Sequence, residues 1–137
     1  MNCVINLTTV FRMALGVCLC GLFTGCVTAD QLAKADFGPQ PTNPQEQVIR
    51  YFEYYLKDPD SAKYQFRELT KGYIKDGLIM GGKIHYGWIQ VVDVNAKNSF
   101  GAYTGYQRKY IFFENGRIHS DATDIIVVAG MGGLYRN

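Results

Sequence analysis

The sequence predicts an α+β domain: one N-terminal amphipathic helix packed on an antiparallel sheet of about four strands. Three observations carry this expectation. One apolar repeat at helical spacing follows Asn43, longer stretches of period-two alternation come after it, and an Asn-Gly pair sits between two of those stretches.

The helix is expected over 44–57. Asn43 is a capping residue type, Pro44 suits the first helical position, and Glu46 stands where a capping box places its acid. Val48, Ile49, Phe52, Tyr55 and Leu56 then recur on one face, with Tyr51 and Tyr54 on a flank. Asp58-Pro59-Asp60 ends the run, because proline moves the residue before it out of the helical region.

Ala62, Tyr64 and Phe66 alternate with Lys63, Gln65 and Arg67, as a half-buried strand requires. Lys71 to Asp76 extends or follows that strand. Ile84 to Ala96 reads as a long strand with Ile84, Tyr86, Trp88, Val92 and Val94 on one face, interrupted by Gln90. Tyr103 to Glu114 is another, and Asn115-Gly116 a type I′ turn into the strand that Arg117 begins. Asp124 to Val128 is expected as a last strand or the end of that one. Residues 129–137 are glycine-rich and expected to fray.

Before the domain, an apolar run from Met13 to Phe23 follows Arg12 and ends in Thr24-Gly25-Cys26. It is too short for a transmembrane span, which needs about 20 apolar residues. An ordinary secretory signal prefers a small residue three before the cut, where Phe23 stands. The pattern resembles a bacterial lipoprotein signal, with cleavage before Cys26 and acyl chains on that residue. The resemblance implies the membrane as one partner, held through Cys26. Val27 after Cys26, rather than Asp, is similar to the outer-membrane sorting pattern of enteric bacteria. The expected place is therefore the periplasmic face of the outer membrane. The expected organisation is signal peptide 1–25, lipidated Cys26 and flexible tether 26–42, one domain 43–128, and a tail 129–137.

Cleavage removes Cys3, Cys18 and Cys20, and acylation consumes Cys26, so no disulfide is expected and the fold rests on packing. Of 14 Lys and Arg only Arg12 is lost, while all 12 Asp and Glu remain, which leaves one net positive charge. The charges are interspersed, which gives no nucleic-acid footprint. The ten tyrosines, Trp88 and six of eight phenylalanines also remain, a composition of a globular chain rather than a disordered one.

Two segments together resemble a group of small bacterial envelope lipoproteins and secreted domains. One is Leu56-Lys-Asp-Pro-Asp-Ser-Ala-Lys-Tyr64. The other is Tyr86-Gly-Trp88 leading into Val94-Asn-Ala-Lys-Asn-Ser-Phe-Gly-Ala-Tyr-Thr-Gly-Tyr106. Ala102 stands where the group often has a second glycine. The resemblance spans about residues 43 to 120 and brings no established activity or catalytic residue. On their own chemistry, Asn95, Asn98 and Ser99 are turn formers, and Gly101 and Gly105 admit positive φ. Two accounts stay open: a structured connection between long strands, or a partner surface formed by Lys97, Asn98, Tyr103 and Tyr106.

No catalytic constellation is expected. His85 and His119 lie in no metal-ligand spacing; either could act as a general base with Asp121 or Asp124, but such histidines are more often surface or packed residues. No nucleophile motif is present, Asp58 and Asp60 read as turn residues, and Gly-Met-Gly-Gly at 130–133 lacks a phosphate loop's lysine. The chain is thus expected to lack metal and cofactor and to act as a non-catalytic binding or assembly module. Its partner would be an envelope protein or peptidoglycan. The alternative is a cell-wall-directed hydrolase or an inhibitor of a lytic enzyme.

Overall fold

The computed structural model describes residues 27–77, 82–128 and 132–134; the expected signal peptide and Cys26 lie outside them. The chain divides between Lys34 and Ala35. In the first part Ala29–Lys34 form a short helix, α1. The Gln31 amide donates to Thr28 Oγ1 (3.3 Å) and the Thr28 amide donates to Gln31 Oε1 (2.9 Å), a reciprocal cap. The stretch expected as a flexible tether therefore contains a capped helical turn.

The second part begins earlier than expected. Phe37 and Pro41 are buried, Phe37 meets the Tyr86 ring edge-on at 5.9 Å, and Trp88 Nε1 donates to the Gly38 carbonyl (3.2 Å). Apolar burial and one indole hydrogen bond thus hold residues that Pro and Gly content alone marks as linker.

Helix α2 spans Pro44–Tyr55, with Pro44 in the first turn as expected. Its cap differs from the expectation. Asn43 sits in the left-handed region (φ 50°) and makes no side-chain cap bond. Glu46 instead pairs with Arg50, one turn on. The buried stripe is Val48 and Phe52, flanked by Tyr51 and Leu56, while Ile49 and Tyr55 are exposed. The helix lies on a sheet, so only one narrow face is covered.

Five strands form one antiparallel sheet in the order β4-β3-β2-β1-β5: β1 Asp58–Lys75, β2 Ile84–Lys97, β3 Gln107–Glu114, β4 Arg117–Asp121 and β5 Gly132–Leu134. The count is five, not about four, and α2 is preceded by α1. Asn115 and Gly116 both take positive φ (52° and 78°), as a type I′ turn between β3 and β4 requires. Strands expected at 62–67 and 71–76 are one continuous element. A bulge lies between the pairs Phe66–Val92 and Leu69–Gln90. One extra residue there switches faces, so Phe66 packs on the α2 side while Ile74 packs on the other.

The sheet consequently has two cores. On the α2 side Val48 and Phe52 meet Val92, Val94, Ile111 and Phe113. On the far side Ile74, Ile89, Val91 and Phe112 gather with Ala122. Each large apolar side chain taken from water contributes ~1.5–3 kcal/mol. Covering the far side is the work of the C-terminal segment. Asp124–Val128 form a π-helical turn rather than a strand, setting Ile125 and Ile126 against that core. The tail expected to fray instead contributes β5, in which Gly132 to Leu134 pair with Gly72 to Ile74. A Cβ at Gly132 would lie 2.7 Å from the Tyr73 carbonyl oxygen, so glycine there serves close approach.

Candidate functional site

Two polar constellations stand at opposite ends of β2, roughly 40 Å apart at ~3.3 Å per residue. The first is the connection 98–106, where the two segments behind the family resemblance interlock through one serine. Ser61 Oγ donates to the Asp58 carbonyl (2.8 Å) and accepts from the Lys97 amide (3.0 Å). The Tyr103 hydroxyl donates to the Ser61 carbonyl (3.1 Å). Lys97 and Tyr103 also form an isolated antiparallel bridge. The ammonium groups of Lys63 and Lys97 lie 4.8 Å and 5.7 Å from the centre of the Tyr103 ring, within cation–π range.

Two asparagines, Asn98 in the connection and Asn95 in β2, brace the rest. Asn98 Oδ1 accepts from the amides of Phe100 (2.9 Å) and Ala102 (3.1 Å). The Asn98 amide donates to the Ala102 carbonyl, and the Gly101 amide donates to the Asn98 carbonyl. Asn95 Oδ1 accepts from the Gly105 amide (3.1 Å). Gly101 and Gly105 have φ of 77° and 92°, which explains glycine at both places.

Of the expected surface residues, Lys97, Asn98 and Tyr103 are brought into one bonded unit, and Tyr106 stands in the same connection, 48% exposed. Asn98 does its work inward, on backbone. Phe100, not singled out by the sequence, is 91% exposed at the turn that Asn98 holds. Of the other tyrosines, Tyr54 is exposed on α2, while Tyr51 and Tyr110 pack against the two cores.

At the other end, His85, Glu114 and His119 converge from β2, β3 and β4. His85 Nδ1 lies 3.0 Å from Glu114 Oε1, and His119 Nδ1 lies 3.3 Å from Glu114 Oε2. Asp76, just past β1, faces His85 Nε2 at 3.2 Å. The hydrogen bond to Glu114 raises the His85 pKa above the ordinary histidine value; burial opposes this and Asp76 adds to it. The two imidazoles are 5.3 Å apart, and Phe112 meets His119 edge-on.

The partners of the histidines are therefore Glu114 and Asp76, not the expected Asp121 or Asp124. Asp121 is engaged by Lys109 and by the Thr123 amide. His119 reaches Glu114 because it is the extra residue of a bulge. Phe113 pairs with Ile118 and Phe112 with Ser120, which leaves His119 between them. The Asn-Gly turn makes the Glu114–His119 neighbourhood legible in sequence; the register that adds His85 and Asp76 is not.

A third polar group is closed on itself. Arg67 and Arg108 both reach Asp93, at 3.0 Å and 2.8 Å. The Arg108 hydrogen bond holds the Asp93 carboxyl below the usual range, against burial and with help from Arg67. The open groove of about 690 Å³ beside it thus has both arginines paired with an anion already in place.

Among the described residues, no helix is long and apolar enough to cross a membrane. Comparison of the chain with protein-family models, curated proteins and solved structures finds no match.

Proposed function

We propose that this chain is a lipid-anchored envelope protein that works as a non-catalytic binding module, and that the connection 98–106 is its contact with a protein partner. The anchor is Cys26, and the place is the periplasmic face of the outer membrane. The observation that carries the binding reading is Phe100: a large apolar ring, fully presented to solvent, on a turn whose backbone is pinned by Asn98.

A loop without function has little reason to fix an exposed phenylalanine. A rigid aromatic, flanked by Tyr103 and Tyr106, supplies contact area at small ordering cost. Lys63 and Lys97, stacked near Tyr103, add positive charge beside the rings and favour an acidic patch on the partner.

The test is cross-linking and capture from the native envelope, comparing wild type with Phe100→Ala and Tyr106→Ala. A central aromatic anchor is worth about 2 kcal/mol or more, which is about a 30-fold loss of affinity on truncation. Loss of one defined protein from the Phe100→Ala capture is the expected result. Equal capture by all three chains would remove the loop from the interface. Co-sedimentation with peptidoglycan, lost in the same variants, would replace the protein partner by the cell wall.

A further inference from the structure

The histidine–carboxylate cluster lies far from that loop and is not used by the binding reading. We propose that His85, Glu114 and His119 form a binding site for a divalent first-row transition metal, with Zn²⁺ the ion they suit best. One ligand atom from each residue lies within 4.8 Å of the other two. In tetrahedral coordination at about 2.0–2.1 Å, ligand atoms are about 3.3 Å apart. His85 Nδ1 stands 3.0 Å from Glu114 Oε1 and His119 Nδ1 3.3 Å from Glu114 Oε2, one carboxylate oxygen to each imidazole. Small side-chain rotations would bring one oxygen to that edge from both histidines and close the separation between the two imidazoles.

Two features separate this cluster from a chance surface grouping. The first is the donor set: two imidazoles and one carboxylate form a borderline-soft site that suits zinc rather than calcium or magnesium. The second is the outer shell. A metal-ligating histidine commonly donates its other ring N–H to a carboxylate, which fixes its tautomer. Asp76 stands 3.2 Å from His85 Nε2 in that place, leaving Nδ1 to face Glu114 and the ion. The His85 side chain is only 11% exposed, so its orientation is set by packing.

The scaffold is suited to the task. His85 and Glu114 stand on paired strands, and the bulge in β4 turns His119 toward them. His119 and Glu114 remain partly exposed, so an ion has a route in and water can complete the fourth position.

The test is calorimetric titration of the full chain with ZnCl₂ near neutral pH, in detergent and with thiols alkylated so that cysteine does not compete. Melting temperature is followed in parallel. One zinc per chain and a raised melting temperature are expected. His119→Ala, at the exposed bulge, and Glu114→Gln should each abolish saturable binding. Asp76→Asn should weaken it about 10–100-fold while leaving the ligands intact. No saturable binding by the wild type would overturn the proposal. Equal affinity in the wild type and in a folded His119→Ala or Glu114→Gln chain would also overturn it.

Discussion

Asn98 offers the sharpest test of how the exposed loop is held. Its Oδ1 accepts from the amides of Phe100 and Ala102, at 2.9 Å and 3.1 Å. Asn98→Ala removes both bonds without touching the sheet. At a net ~1 kcal/mol for each bond, the pinned loop loses about 2 kcal/mol against its open forms. That corresponds to about a 30-fold rise in the open population. Hydrogen exchange reads it directly, since the two amides should lose protection by about that factor. The amides of β2 and β3 should be unchanged, because the cores do not include Asn98. Asn98→Asp keeps an acceptor oxygen in the same place and should retain most of the protection. If Phe100 and Ala102 exchange equally in wild type and Asn98→Ala, the side chain does not hold the loop. The case for a preorganised Phe100 would then fail.

Other expectations are as direct. Gly87→Ala would set a Cβ 2.0 Å from the Phe113 carbonyl oxygen and 2.9 Å from the Phe112 ring, where neither can yield cheaply. A loss of about 1–3 kcal/mol should appear in denaturant unfolding, and an unchanged midpoint would mean that the β2–β3 packing is looser than described. For Asp93, whose folded pKa is depressed, the stabilisation is present above the ordinary carboxylate range and lost as pH falls through the folded value. The stability gap between wild type and Asp93→Asn should therefore be full near pH 6 and shrink below about pH 4; a constant gap across that range would contradict the charge clamp. Cys26→Ala should release the protein from membranes with its domain still folded, and continued membrane fractionation would sink the lipid anchor.

The sequence determined those features that depend on neighbours along the chain. Pro44 set the start of α2, and the spacing of Val48 and Phe52 set its buried stripe. Period-two alternation located β2, and Asn115-Gly116 closed the β3–β4 hairpin through local φ preference alone. The turn chemistry of Asn98 and Gly101 was equally local, whereas Asn95, read as a turn former, lies in β2 and bonds Gly105 ten residues on.

What failed depended on partners distant in sequence. Phe37 and Gly38 look like linker until Tyr86 and Trp88 are placed beside them. The glycines of 132–134 look like a loose tail until β5 is paired with β1, where a side chain at Gly132 would collide with the Tyr73 carbonyl oxygen. Val127 and its neighbours carry strand-like composition, yet the far face of the sheet needed a cap, and a π-helical turn puts Ile125 and Ile126 there. Bulges decided the rest. One in β1 moved Ile74 to the opposite core from Phe66, and one in β4 aimed His119 at Glu114. A one-residue insertion flips every later side chain, and periodicity alone gives no warning of it. The histidine cluster was therefore decided in part by tertiary structure: the Asn115-Gly116 hairpin brings Glu114 and His119 near each other, but His85 and Asp76 join them only when the strand register is known.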